Sequence, residues 1–164
     1  MRDTVIVDTN VAVVANGRTA QASPSCIVAC IERLSHVKDR NLVLLDAESL
    51  IFDEYRRHLS PSGQPGTGDM FFKWLWNNQA QQQHCRKIEI TPNDERGFDE
   101  FPDDPMLTEF DDDDRKFVAV ALASGMRPPI LNASDTDWYE YRQDLKRHDL
   151  RIIFVCPELM VARR

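Results

Sequence analysis

The stretch TVIVDTN, residues 4–10, decides how the rest of the sequence is interpreted. Thr4–Val7 is a continuous run of β-branched residues, which is typical of a short buried strand. Asp8 follows directly, so we expect its carboxylate at the carboxyl end of that strand. A carboxylate in such a place costs free energy unless a positive group joins it. This stretch therefore predicts a buried strand that ends in a functional acid.

Strands and helices alternate along the rest of the chain, which indicates βαβ units and a mainly parallel sheet. We expect an α/β fold, a three-layer α/β/α structure around a sheet of four to five strands. Residues 1–164 then form one domain, with an extended loop and helix region at about residues 60–110. The further predicted strands are residues 41–45, 87–91, 130–133 and 151–155, and the predicted helices are residues 23–37, 46–59, 69–83, 111–124 and 138–147.

Composition places the chain among ordinary globular proteins. Its 164 residues are 42% hydrophobic and 29% charged, enough for one domain with a buried core. No segment approaches about 20 continuous apolar residues, so we expect no membrane span. The first residues have no signal-peptide layout, and a cytoplasmic protein is the default expectation.

Charge is distributed unevenly. The net charge is −7, but residues 94–114 hold eleven acids and one base, and the rest of the chain carries 16 acids and 19 bases. Outside this acidic block the chain is mildly basic. Its cations are either phosphate contacts or scattered, solvated surface charges. The basic side chains considered are Arg56, Arg57, Arg86, Lys87, Arg115, Lys116, Arg142, Lys146, Arg147 and Arg151.

The four cysteines do not form a recognisable metal-binding motif. Cys26 and Cys30 share one face of a predicted helix, but no CxxC pair or matching histidine cluster completes a site. Buried free thiols are the favoured interpretation for Cys26, Cys30, Cys85 and Cys156.

The helix predicted after Asp69, an expected cap, is apolar nearly all round. Such a helix is either sandwiched inside the fold or covers a partner surface, for example in a homodimer. The core interpretation is favoured. The apolar residues are Met70, Phe71, Phe72, Trp74, Leu75 and Trp76.

Three further acids occupy positions comparable to that of Asp8. Asp135 follows the predicted strand at residues 130–133. Glu54 continues the apolar face of its helix by one turn, where a surface acid would not be placed. Asp114 lies in the first turn of its helix, on the inward face. Ligands in parallel α/β folds bind beyond the carboxyl ends of the strands, so all four acids are expected to converge on one crevice.

Several carboxylates in one crevice repel each other, and a divalent cation removes that conflict. Mg²⁺ and Mn²⁺ prefer oxygen ligands, and no histidine or cysteine set competes, so zinc is not expected. Each acid also has an ordinary structural alternative. Asp8 could be a turn residue, Glu54 a surface ion-pair partner, Asp114 a helix cap and Asp135 an Asx-turn residue.

Four stretches together resemble the PIN-domain family of metal-dependent ribonucleases, which includes the toxins of many bacterial toxin–antitoxin pairs. They are VIVDTNV (5–11), IFDEYRRHL (51–59), DDRKFVAVALAS (113–124) and ILNASDTDW (130–138), in family order and spanning nearly the whole chain. The resemblance implies a central parallel sheet flanked by helices, Mg²⁺ or Mn²⁺, and endonucleolytic hydrolysis of RNA. It also implies an antitoxin protein as a partner.

Carried over by position, the resemblance assigns roles to individual residues. The catalytic and metal-binding acids are Asp8, Glu54, Asp114 and Asp135, with Asp137 as a further metal ligand, and the supporting residues are Asn10, Asp113 and Ser134. The RNA-binding residues would be Arg56, Arg57, Arg115 and Lys116. The family often has Thr or Ser two residues before the fourth acid; this chain has Ala133 there, which leaves Ser134 or Asn132 as the replacement.

Two other functions stay open at this point. A haloacid-dehalogenase-type phosphatase also begins with a strand ending in Asp, but it normally needs a second Asp where this chain has Asn10. A catalytically silent PIN-like domain would bind RNA or protein, yet it has no reason to retain all four acids. The acidic segment at residues 92–110 is either a solvated connector or a regulator that lies near the crevice and repels RNA.

Overall fold

The computed structural model describes residues 2–20 and 22–161. The strands are, in chain order, β1 (Asp3–Val7), β2 (Asn41–Asp46), β3 (Cys85–Ile88), β4 (Pro92–Asn93), β5 (Gly97–Phe98), β6 (Pro129–Asn132) and β7 (Arg151–Phe154). β4 and β5 pair as a small antiparallel hairpin. The other five form one parallel sheet in the order β3–β2–β1–β6–β7.

Helices flank this sheet and confirm the predicted three-layer α/β/α fold. They are α1 (Thr9–Ala15), α2 (Pro24–Arg40), α3 (Leu50–His58), α4 (Thr67–Asn78), α5 (Arg115–Ser124), α6 (Thr136–Glu140), α7 (Arg142–Lys146) and α8 (Pro157–Val161). α1, α2 and α4 pack against one another, whereas α5 packs on β2, β3 and β6 beside α3. Across the described ranges, no helix has the length and apolarity needed to cross a membrane.

β1 is the centre of the sheet. Val5 pairs with Val43 of β2 on one side, and Ile6 pairs with Ile130 of β6 on the other. The strand is continuously apolar because a parallel sheet is covered on both faces, and Val5, Ile6 and Val7 are all buried. Since β1 and β6 are parallel neighbours, the residues that follow their carboxyl ends come together.

α1 was not predicted from the sequence. It begins directly after Asp8 and buries Val11, Ala12, Val14 and Ala15 against the core. Three of its seven residues are valines, which disfavour helix because branching at Cβ restricts the side chain. Tertiary packing overrides this preference, since the helix packs against α2, α4 and α3 and against β6.

α4 begins two residues earlier than predicted, and Asp69 does not occupy the N-cap. Gly66 is the N-cap, and the Asp69 carboxylate at the third helical position accepts the Gly66 backbone amide at 2.9 Å. A Cβ atom at Gly68 would lie 1.8 Å from the carbonyl oxygen of Ala12. Glycine is therefore required there for α4 to approach α1 so closely.

Other predicted elements differ in their bounds. The predicted strand at residues 87–91 is β3, two residues earlier, and the predicted helix at residues 138–147 is split into α6 and α7. The predicted helix at residues 111–124 starts as a 3-10 turn, Asp112–Asp114, and ends at Gly125, whose φ of 66° confirms the expected glycine stop. The expected loop at residues 92–110 contains the β4–β5 hairpin and a second 3-10 turn, Pro105–Leu107.

The apolar helix α4 mostly faces the core, as favoured. Phe71, Phe72 and Leu75 are buried, whereas Met70 is 44% exposed and Trp76 is 42% exposed. The indole of Trp76 packs against the ring of Phe52 at 5.0 Å. Most of the aromatic surface that could have covered a partner is therefore used inside the fold.

The expectation of four free thiols is correct for two cysteines and wrong for two. Cys30 and Cys85 are buried and free, but Cys26 of α2 and Cys156 after β7 form a disulfide. The two residues are 130 positions apart, and pairing over such a distance cannot be deduced from cysteine spacing alone. Burial raises the pKa of the Cys30 thiol to about 12, and the charge of Glu158 adds to the rise.

Candidate metal centre

Six carboxylates line one crevice of about 360 Å³ beside the carboxyl ends of β1 and β6. Four of the five acids predicted to bind metal, the four also predicted to be catalytic, lie in this crevice, although they come from four separate parts of the chain. The lining residues are Asp8, Thr9, Asn10, Val13, Glu54, His58, Asp111, Asp113, Asp114 and Asp135.

Asp8 lies between β1 and α1 and is only 3% exposed. Burial raises the pKa of Asp8 well above its usual value, and the charges of Asp114 and Asp135 raise it further. Hydrogen bonds from the backbone amides of Asn10 and Thr9 act in the opposite direction. Because the rise comes from burial and repulsion, a cation beside Asp8 would restore its ionised form.

Asn132, at the end of β6, joins the first and fourth acids. Its Nδ2 donates to Oδ2 of Asp8 at 3.1 Å, and its Oδ1 accepts the backbone amide of Asp135 at 2.8 Å. Asn132 is fully buried, so it fixes the separation of the two acids. Of the two replacements left open for the family's Thr or Ser, Asn132 is the one that makes these contacts.

Asp135 is the N-cap of α6, and its Oδ1 accepts the backbone amide of Asp137 at 2.8 Å. The Asx-type contact proposed as an alternative is therefore present, yet the carboxylate also lines the crevice. Burial raises the pKa of Asp135; the bond from the Asp137 amide opposes the rise, and the charges of Asp137 and Asp111 add to it.

Asp114 ends a 3-10 turn and immediately precedes α5. Burial raises the pKa of Asp114 to about 7, and repulsion from Asp135, Asp111 and Glu54 contributes. The metal-free crevice therefore holds a proton on this carboxyl to a higher pH than water does. Its environment favours a bound cation for the same reason as that of Asp8.

Glu54 projects from α3 and is 7% exposed, as its place on the apolar helix face predicted. Its Oε1 lies 3.2 Å from Nζ of the buried Lys116, and its Oε2 lies 2.9 Å from Nε2 of His58. Lys116 also lowers the pKa of Asp114. The buried ammonium of Lys116 thus neutralises Glu54. Asp8 and Asp135, in contrast, lie among carboxylates that repel them.

The predicted supporting residues do not all line the crevice. Asn10 lines the crevice, and its Oδ1 accepts the backbone amide of Ala133 at 3.0 Å, which fixes the chain just before the fourth acid. Asp113 also lines the crevice. The supporting residue Ser134 is half-buried and is not among the lining residues. Asp137, predicted as a further metal ligand, is exposed and does not line the crevice either.

Two of the four basic residues predicted to bind RNA are in the interior. Arg115 is 5% exposed, and its guanidinium donates to the carbonyls of Phe110, Thr108 and Arg96 at 2.8–3.1 Å. Lys116 is 6% exposed and is paired with Glu54. Both cations stabilise the protein itself, so the structure corrects their assignment as phosphate contacts.

The other two predicted RNA contacts remain on the surface. Arg56 pairs with Asp53 at 2.7 Å and lies over the ring of Trp76 at 5.0 Å. The side chain of Arg57 is 57% exposed and lies 3.7 Å from Glu54. Arg57 is therefore the predicted cation closest to the candidate centre that solvent can reach.

The acidic segment at residues 92–110 is held to the body of the protein by hydrogen bonds. Arg115 binds its carbonyls, and the carboxylate of Asp104 lies 2.8 Å from Nε2 of His148, beyond α7. No residue of this segment is among those lining the crevice; the lining acids Asp111 and Asp113 follow it directly. Whether its charge repels RNA stays a prediction.

The donor set fits a hard cation. Its ligand atoms are carboxylate oxygens, and Oγ1 of Thr9, in the same crevice, is buried with no hydrogen-bond partner in the described part of the chain. Within residues 2–20 and 22–161, the cysteine trio Cys26, Cys30 and Cys156 is the one group of metal-ligating side chains found within 4.8 Å of one another. The crevice carboxylates are more widely spaced, which suits an ion that takes one or two carboxylates and completes its shell with water.

Comparisons with known proteins add no assignment. No family model matches the sequence, and neither the curated proteins nor the solved structures give a match. The site must therefore be interpreted from its own residues.

The sequence analysis missed four lining residues, the titratable His58 and Asp111 and the uncharged Thr9 and Val13. His58 lies four residues after Glu54, so helical spacing placed it on the same face, but a histidine near the end of a helix is also an ordinary surface residue. Asp111 belongs to a run of four aspartates, and the sequence offered no way to choose among them. The 3-10 turn settles this choice by bringing Asp111, Asp113 and Asp114 to the crevice.

Proposed function

We propose that this chain is a Mg²⁺- or Mn²⁺-dependent endoribonuclease of the PIN type. The observation that carries the proposal is the meeting of Asp8, Glu54, Asp114 and Asp135 in one crevice at the carboxyl end of a parallel sheet. Burial and mutual repulsion raise the pKa values of three of them. The capping bond of Asp135 and the ion pair of Glu54 do not offset the repulsion among these acids, whereas a divalent cation in a metal-dependent phosphodiesterase would.

Asp8 and at least one of Asp114 and Asp135 would hold the ion, with Asn132 and Asn10 fixing the positions of the first and fourth acids. A bound divalent ion supplies charge neutralisation at the scissile phosphate and lowers the pKa of water near it. Glu54, held by Lys116 and His58, is positioned on the opposite side to accept a proton from attacking water.

The substrate class follows from the same residues. No serine or cysteine is among the described residues that line the crevice, which favours hydrolysis by water over attack by a side chain. A haloacid-dehalogenase-type phosphatase is disfavoured because Asn10, at the position of its second Asp, uses Oδ1 to bind the Ala133 amide. The choice of RNA rather than another phosphodiester rests on the PIN resemblance.

The test is cleavage of a labelled single-stranded RNA by purified protein with Mg²⁺ or Mn²⁺. Asp8→Asn and Asp114→Asn should each reduce the rate by about a thousandfold or more, because each removes a ligand charge. The matched control is Asp112→Asn, two residues from Asp114 and with a side chain that is 94% exposed; its rate should not change.

Undiminished cleavage by both crevice variants would end the proposal. Tight RNA binding with no metal-dependent turnover would favour the catalytically silent alternative instead. We do not extend the proposal to an antitoxin-like protein or a homodimer, because the aromatic residues of α4 that suggested a partner surface mostly face the core.

A further inference from the structure

A second concave surface of about 500 Å³ lies along β7 and is basic where the crevice is acidic. We call it the β7 groove. Four of its ten lining residues are cations and one is an acid, Asp149, in a protein whose net charge is −7. The lining residues are Arg127, Arg142, Gln143, Lys146, Asp149, Leu150, Arg151, Ile152, Ile153 and Phe154.

The cations of the β7 groove are largely free to bind a ligand. Within the described ranges, Lys146, Arg142 and Arg151 have no ion pair with an acid, and Lys146 and Arg151 are exposed. Arg127 pairs with Asp149 at 3.5 Å, but both side chains are more than half exposed. Exposed pairs of this kind are worth at most about 1 kcal/mol, so an incoming anion could replace Asp149.

Arg142 is pre-positioned in the β7 groove. Its guanidinium lies 3.7 Å from the ring centroid of Tyr139 and donates to the Tyr139 carbonyl at 2.6 Å. The Tyr139 ring in turn meets the ring of Phe154 edge-on at 5.6 Å. A cation held this way loses little side-chain entropy when it binds an anion.

Helix α6 connects the β7 groove to the crevice. Asp135 caps this helix, and Tyr139 and Arg142 follow within seven residues. At about 1.5 Å per helical residue, Tyr139 lies about 6 Å along α6 from Asp135, and Arg142 begins α7 just after the end of α6. The basic surface then continues toward Arg151 and Arg127 at the opposite end of β7.

We infer that the β7 groove binds the sugar–phosphate backbone of single-stranded RNA flanking the nucleotide held in the crevice; this inference rests on the proposed function. Lys146, Arg151, Arg142 and Arg127 would contact successive phosphates without reading the bases. Four cations, two on α7, one at the start of β7 and one just before β6, suit a polyanion. An acidic peptide added to the open edge of β7 is the competing occupant, and it would need fewer cations than the groove offers.

The experiment compares two double charge reversals. Lys146→Glu/Arg151→Glu changes two exposed cations of the β7 groove, and Arg86→Glu/Lys87→Glu changes two exposed cations on β3, the opposite edge of the sheet. Binding of a fluorescent mixed-sequence RNA of about 20 nucleotides is measured by anisotropy in EDTA over a range of salt concentrations. Cleavage of the same RNA, and of one of about four nucleotides, is measured with Mg²⁺.

The groove variant should bind the long RNA about tenfold or more weakly, and the slope of log K against log salt should fall by about 1.4, which is 0.7 for each lost phosphate contact on a single strand. Its cleavage of the short RNA should be unchanged, and the β3 variant should resemble the wild type in every assay. Equal losses in both variants would overturn the inference, because they would report net charge alone.

Unchanged RNA binding by the groove variant, while the wild type still cleaves, would refute the β7 groove as an RNA track and leave the proposed function intact. If an acidic peptide binds the wild type but not the groove variant, and RNA binding is unaffected, the occupant is a protein and the inference is wrong. If the wild type neither binds nor cleaves RNA, the proposed function is wrong, and the inference, which rests on it, is wrong too.

Discussion

Helix α1 has a buried aspartate near each end, and the two have opposite surroundings. Asp69 is 1% exposed beside Asn16 at the C-terminus of α1, and Asp8 is 3% exposed at its N-terminus. Burial alone would raise the pKa of both. Hydrogen bonds from the Gly66 and Ser60 amides and from Asn16, with the charge of Arg18, lower the pKa of Asp69, whereas neighbouring carboxylates raise that of Asp8.

The difference separates a carboxylate whose charge the protein itself satisfies from one whose charge the proposed cation would satisfy. The protein supplies all the donors that the Asp69 carboxylate needs. Its hydrogen bonds connect α4, the loop before it and α1. Asp8 belongs to a set of acids that is incomplete without a cation. Burial of an acid is therefore not informative by itself; the informative property is whether the protein supplies the donors that the charge needs.

The largest expected effect is on catalysis, where the two aspartates should behave oppositely. Asp8→Asn should reduce Mg²⁺-dependent RNA cleavage by about a thousandfold or more, while Asp69→Asn should leave the rate per folded molecule within about twofold of the wild type. Rates are normalised to the folded fraction from circular dichroism. Equal losses in the two variants would remove the distinction between them.

The second effect is on stability, where Asp69→Asn should cause a larger loss than Asp8→Asn. Asp69→Asn should lower the free energy of unfolding by about 3 kcal/mol, because an amide cannot accept all the hydrogen bonds that the buried carboxylate receives. Asp8→Asn should cost less than half of this, since it also removes repulsion within the crevice. Urea unfolding of both variants in EDTA measures the difference, and a larger loss for Asp8→Asn would contradict it.

How far the sequence could predict this site depends on the kind of signal. Asp8 was predictable because a continuous β-branched run ends at it, and Glu54 because helical periodicity places it on the buried face. The pairing of Glu54 with Lys116 was not predictable, since a lysine near the start of a helix is ordinarily exposed. The burial of Arg115 depends on a loop whose path no local pattern defines, and α1 depends on tertiary packing that overrides its valines.

A third prediction uses the pH dependence of stability to compare the crevice acids, represented by Asp114, with Asp69. The pKa of Asp114 in the folded crevice, about 7, lies above its usual value of 3.8, so the folded state holds a proton that the unfolded state has lost. Stability of the metal-free protein should therefore fall as pH rises from about 4 to 7, by about 3 kcal/mol. The lowered pKa of Asp69 acts oppositely: its contribution is present above pH 4 and is lost on acidification.

Urea unfolding at pH 5 and pH 8 in EDTA measures this effect. Asp114→Asn should flatten the dependence, and saturating Mg²⁺ should raise the stability of the wild type more at pH 8 than at pH 5, because the ion binds the ionised acids. A wild type that is more stable at pH 8 than at pH 5 without metal would contradict the proposed repulsion.

The smallest effect concerns Lys116, the buried lysine that pairs with Glu54. Lys116→Met should destabilise the protein by about 2 kcal/mol, because it leaves Glu54 without its closest positive partner. Adding Glu54→Gln should recover part of the loss, giving an interaction energy of about 1–2 kcal/mol in a double-mutant cycle. Additive losses would show that Lys116 and Glu54 do not act as a pair. Lys73→Met, an exposed lysine of α4, is the control and should be neutral.

The most direct measurement is anomalous diffraction from a crystal soaked in Mn²⁺. We predict density in the crevice in contact with carboxylate oxygens of Asp8 and of at least one of Asp114 and Asp135, and none beside Asp69. A crystal saturated with Mn²⁺ whose crevice holds no density, or whose only site lies among other side chains, would contradict the assignment of these acids as a metal centre.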